Sequence, residues 1–167
     1  IRADHRDKKA IEKVEEVFAR SSNKGLVSEV AWLQRLQAWG KIDVEMAKTL
    51  LYQLRDAYNL PNGEVRGTIT PNHRLFSLVM SACARIGAMD SDILLWEDLV
   101  VLHQRHLQSM RDEPSPFKLT AATLNSVLQA FAYVRIPDRA EKAQAFLEAA
   151  LEQDMEVDRT SFNTVLD

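Results

Sequence analysis

Cysteine is almost missing from this chain. Cys83 is the only one, so there is no internal disulfide framework and no zinc site built on several thiolates. Glycine and proline are scarce as well, at five each, too few for a β-rich or low-complexity chain that must turn often. No apolar run approaches the ~20 residues that span a bilayer, which points away from membrane insertion. No basic-then-apolar leader opens at Ile1, and because that residue is not Met its absence says nothing about address. Positive charge is not in excess either. With 21 Lys and Arg against 24 Asp and Glu the net charge is −3, a balance that argues against indiscriminate phosphate binding.

What is present is the composition of a folded protein, 46% hydrophobic and 27% charged over 167 residues. That length holds one ordinary domain or a short stack of repeats. Periodicity chooses the stack. At the very end Phe162, Val165 and Leu166 fall at i, i+3 and i+4, one apolar helical face that breaks off after barely two turns. The same stripe occurs earlier as Leu124, Val127, Leu128 and Phe131, as Phe76, Val79, Met80 and Cys83, and as Trp32, Leu36 and Trp39, with Arg35 intruding at its second place. Cys83, Trp32 and Trp39 therefore read as core. Ala38, Ala82 and Ala130 stand just before the last apolar place of each complete copy, where a close helix crossing favours a short side chain.

The leading residues Trp32, Phe76, Leu124 and Phe162 are spaced by 44, 48 and 38 residues, the period of stacked helical hairpins with connections of unequal length. A second helix fits in each interval. Ala47, Leu50, Leu51 and Leu54 carry its stripe in the first, and Ala143, Phe146, Leu147 and Ala150 in the third. The middle one, near 92–107, has the bulky Trp96 with Leu99 and Val100, so its crossing geometry should differ. Val14, Val17 and Phe18 read as the second helix of an earlier unit.

Capping rules set the boundaries. Asn72, Thr120 and Asp158 each precede a first-set helix, and Asp138 with Glu141 three residues on has the form of a capping box. Asp43 and Asp90 or Asp92 are the corresponding caps for the second set, and Gly40 and Gly87 stand where first-set helices should end. The stretches 59–71 and 110–118 read as extended connectors. The chain thus divides into 1–27, the second helix of a truncated preceding repeat; 28–71, a repeat with a long connector; 72–119, a repeat with an insertion; 120–157, a third repeat; and 158–167, the first helix of a following one.

Three copies carry a resemblance. Asp158-Arg159-Thr160-Ser161-Phe162-Asn163-Thr164-Val165-Leu166-Asp167, Leu124-Asn125-Ser126-Val127-Leu128-Gln129-Ala130-Phe131-Ala132, and Pro71-Asn72 ahead of Leu75-Phe76-Ser77-Leu78-Val79-Met80-Ser81-Ala82-Cys83 resemble the pentatricopeptide repeat family over roughly residues 28 to 167. The competing tetratricopeptide pattern lacks its Trp, Leu-Gly and Tyr signature here. The resemblance implies an all-α fold, a right-handed α-solenoid of stacked antiparallel helix pairs. It also implies a mitochondrial or plastid protein that binds single-stranded RNA, about one base per repeat, through polar residues of the first helix and the repeat junction.

Carried over residue by residue, the reading pairs are Asn125 with Asp158, a combination associated with uracil, and Ser77 with Thr120, which departs from the usual combinations. The first unit offers Leu33 with Asn72, where Leu cannot hydrogen-bond a base edge, and Asn163 is the next first-helix position. Arg74, Ala122 and Thr160 occupy the place where the family sandwiches a base with an aliphatic residue; Arg74 can stack on a base and attract phosphate. No metal, cofactor or small-molecule substrate follows from the resemblance, and no catalysis. Folded ribosomal RNA or protein subunits of an organellar assembly are the alternative partners, for which the chain would act as a scaffold.

Charge is distributed in the same sense. First-set windows carry a net +3 and second-set windows a net −7, the polarity an RNA groove on the first-set face requires. His103 and His106 lie one helical turn apart without an evident third ligand, and Asp90, Asp92, Glu97 and Asp98 gather where carboxylates favour a helix start. No Gly-rich phosphate loop, nucleophile elbow or catalytic triad pattern is present.

Overall fold

A computed structural model describes residues 5–25, 27–58, 69–109 and 113–166. These residues form eight helices and, among the described residues, no strand. The helices are α1 (His5–Asn23), α2 (Glu29–Ile42), α3 (Val44–Tyr58), α4 (His73–Arg85), α5 (Met89–Ser109), α6 (Ala121–Tyr133), α7 (Arg139–Glu152) and α8 (Arg159–Leu166). The protein is all-α. It divides into two compact units, Ile1–Pro71 and Asn72–Asp167.

In the first unit α2 packs on both α1 and α3. Ser28 caps α2 by accepting the Ala31 amide, and Trp32 and Leu36 are buried as their spacing predicts. Gly40 does not end the helix. It is buried inside α2, which continues to Ile42 before the Asp43 amide closes on the Trp39 carbonyl. The Asp43 carboxylate then accepts the Met46 amide and starts α3, whose buried face is Val44, Ala47, Leu50, Leu51 and Leu54.

Arg35 breaks the apolar stripe of α2 for a reason. Its guanidinium donates to both oxygens of Glu15 on α1, and the Trp39 indole N–H donates to Glu15 as well, at 2.8 Å. The same guanidinium lies 4.2 Å over the Phe18 ring, which meets Trp32 edge-on at 4.8 Å. Burial pushes the Glu15 carboxyl up, but the hydrogen bonds from Arg35 and Trp39 outweigh it and hold the group below its ordinary value.

In the second unit α6 is central and touches α4, α5, α7 and α8. The helix α4 packs on α5 and α6, and α8 packs on α6 and α7. The faces of α4 and α6 are almost wholly buried, with Leu75, Phe76, Val79, Met80, Ala82 and Cys83 on one and Leu124, Val127, Leu128, Ala130 and Phe131 on the other. Trp96 of α5 packs edge-on against Phe146 of α7 at 5.7 Å, and Phe146 leans on Phe131 of α6.

The helix ends confirm part of the capping pattern and correct the rest. Asn72 accepts the Arg74 and Leu75 amides, and Thr120 forms a reciprocal box with Thr123. The helix α4 ends where expected: Gly87 takes φ +72°, its amide closes on Ala84 and the Ala88 amide on Cys83. Asp154 ends α7 in the same way at φ +54° without being a glycine.

Asp138 is not a cap. It sits at φ −55° and ψ 28° with no side-chain bond, outside the extended region that a capping side chain needs to reach the free amides. Asp92 is not a cap either. It is fully buried and both carboxylate oxygens lack a hydrogen-bond partner.

The described part of the second connector folds back on the protein. The Pro116 carbonyl accepts from the His73 amide at 2.9 Å and stands 3.2 Å from His73 Nδ1, and Phe117 is buried. Most of the 59–71 connector, with Pro61, Asn62, Gly63 and Gly67, lies outside the described residues.

Candidate functional site

Asn125 sits on the fifth residue of α6 and Asp158 immediately before α8. The packing of α8 on α6 brings the two together. The Asn125 amide nitrogen donates to the Asp158 carboxylate, 3.1 Å from one oxygen and 3.3 Å from the other. A carboxylate only accepts, so the nitrogen end of the amide is the end that faces it.

A third residue, Ser161, which is not one of the expected reading positions, completes the cluster. Ser161 is fully buried. Its hydroxyl donates to Asn125 Oδ1 at 2.6 Å, and its backbone N–H donates to Asp158 Oδ1 at 2.9 Å. The Asp158 amide returns a bond to Ser161 Oγ at 3.3 Å. Asp158 and Ser161 thus form a capping box at the start of α8, and Asn125 is bound to both of its members. The signal was in the sequence, as an Asp followed three residues later by a hydroxyl residue.

These donors stabilise the ionised form of Asp158. Hydrogen bonds from Asn125 first, then from the Ser161 amide, hold its carboxyl below the usual carboxylate range although the residue is exposed. Asn125 itself is only 8% exposed.

The second expected pair is not joined. Ser77 is half-buried on α4, while the Thr123 hydroxyl beside Thr120 turns back to the Thr120 carbonyl at 2.6 Å. Asn72 uses its side-chain oxygen to cap α4. Arg74, Ala122 and Thr160 occupy the second position of α4, α6 and α8 and all three are exposed, as is Asn163.

His103 and His106 belong to α5, and neither His103 Nδ1 nor His106 Nε2 has a hydrogen-bond partner among the described residues. Burial, then the nearby His106, lowers the His103 imidazole below its ordinary value. Among the described residues no three His, Cys, Asp or Glu side chains are grouped to hold a metal ion, and no helix is long and apolar enough to cross a membrane. A recess of about 380 Å³ opens between α6, α7 and α8, lined by Gln129, Tyr133, Arg139 and Val165. A groove of about 840 Å³ lies between α5, Lys118 and the turn at Asp154 and Glu156.

No family model, no curated protein and no solved structure matches this chain.

Proposed function

We propose that this chain is a run of degenerate pentatricopeptide-like repeats, a right-handed α-solenoid of stacked helix pairs. It holds single-stranded RNA along its first-set helices in a mitochondrion or plastid and serves organellar RNA metabolism or translation. The observation that carries the reading is the bond between Asn125 and Asp158, two residues that the resemblance pairs across a repeat junction and that lie 33 positions apart. A row of exposed side chains at the second position of α4, α6 and α8, with Arg74 at its head, gives the bases and phosphates of an extended strand something to lie against.

With Asn125 as the best reading position, replacing both Asn125 and Asp158 by Ala weakens binding of a short uridine-containing strand, and binding of the unmodified chain falls steeply with salt. Equal affinity before and after the double replacement rejects the reading.

One observation favours a scaffold instead. Leu94 and Val101, two turns apart on α5, are 57% and 41% exposed with Glu97 and Asp98 between them, apolar side chains set among acidic ones for a protein subunit to cover. A chain that ignores RNA at every salt concentration yet co-migrates with an organellar assembly decides for that role.

A further inference from the structure

We propose that Ser161 sets how Asn125 presents its amide, so that the reading unit at this junction is three residues rather than two; this rests on the RNA-binding reading above. An amide side chain has two N–H donors and two carbonyl lone pairs. Three contacts close a ring here. Asn125 Nδ2 reaches Asp158 Oδ1 at 3.1 Å, Asp158 Oδ1 lies 3.1 Å from Ser161 Oγ, and Ser161 Oγ donates to Asn125 Oδ1 at 2.6 Å.

Because the two partners touch each other, they occupy the edge of the amide on which N–H and C=O stand side by side. That edge is the one a base would otherwise meet with two hydrogen bonds at once. What remains is one N–H and one lone pair, which diverge and can be met only singly. Asp158 fixes the nitrogen end because it cannot donate, and Ser161 fixes the oxygen end because its hydroxyl supplies the hydrogen. Without that hydroxyl the carbonyl recovers its second lone pair and the amide swings about the Asp158 contact.

The preceding junction supplies an internal contrast. Thr123 holds the same place in its capping box as Ser161 does, yet its hydroxyl bonds the Thr120 carbonyl of its own helix and does not cross to α4. Ser161 is fully buried, so it acts through Asn125 and not on the base. It is a positioning residue.

The experiment compares the wild-type chain, Ser161→Ala and Ser161→Thr, using an adenosine octamer with a single central uridine or cytidine. Each variant is first checked by its melting curve, and the side-chain amide protons of Asn125 are followed by NMR in the free protein. Loss of one hydrogen bond lowers the uridine-to-cytidine affinity ratio about fivefold in Ser161→Ala, Ser161→Thr restores it, and the Asn125 amide protons of Ser161→Ala exchange faster with solvent. An unchanged ratio in a folded Ser161→Ala overturns the proposal. If the wild-type chain binds neither octamer, the RNA reading fails by itself, and the NMR arm decides the positioning role: Asn125 amide protons that do not respond to Ser161→Ala overturn it.

Discussion

The Arg35 guanidinium grips both carboxylate oxygens of Glu15, at 2.7 and 2.8 Å, while lying over the Phe18 ring. Two helices are thereby joined through a planar fork that only arginine provides.

Removing one half of this partly buried pair strands the other. Glu15→Ala and Arg35→Lys are each expected to destabilise the fold by about 2 kcal/mol, read as a lower urea midpoint at pH 7. The Glu15 carboxyl is held below its ordinary value of 4.5, so its contribution is present above that pH and is lost as the pH falls through the folded-state value. The gap between wild type and Glu15→Gln should therefore narrow as the pH falls below 4.5. A gap as wide at pH 3 as at pH 7 would remove the ionic explanation.

Asp92 predicts the opposite slope. Burial pushes its carboxyl from 3.8 up to about 8, so the folded chain keeps a proton that the unfolded chain releases. The contribution of Asp92 is then full below pH 4 and declines as the pH rises, by about 1 kcal/mol per unit up to about pH 8. Asp92→Asn removes the titration and keeps the shape. Its urea midpoint should match wild type near pH 4 and exceed it increasingly toward pH 8, and parallel curves would contradict the burial.

Two helix ends test the backbone. Gly87 and Asp154 both adopt positive φ, a region costly for a side chain. A Cβ on Gly87 would meet nothing closer than the Tyr133 carbonyl at 4.0 Å, so Gly87→Ala isolates the conformational cost, about 1 kcal/mol of lost stability. Asp154→Gly should gain about 0.5 kcal/mol. Thermal melts check both, and a neutral Gly87→Ala would mean that the turn relaxes.

The helices were legible in the sequence because burial follows the 3.6-residue period, and Asn72, Thr120 and Asp158 were legible as caps because each precedes an apolar stripe. Asp92 was misread because an acidic residue in a first turn suits the helix dipole. Yet Asp92, Leu95, Trp96 and Leu99 fall at i, i+3, i+4 and i+7, which puts the carboxylate on the buried face, and that spacing was visible. Gly40 was misread because a buried glycine inside a helix and a terminating glycine look alike until the neighbours are known. Of the candidate site, Asn125 and Asp158 followed from the family resemblance, and Ser161 was visible as the third residue after a cap, but its bond to Asn125 depends on the packing of α8 on α6.

The clasp between His73 and Pro116 has a topological effect. One carbonyl takes up the first amide of α4 from 43 residues further along the chain, so α4 and α5 are enclosed in a loop drawn shut at its neck. The opening turn of α4 and the end of the second connector therefore share a fastening, and loosening the connector at Pro116 should expose the first amide of α4 to exchange.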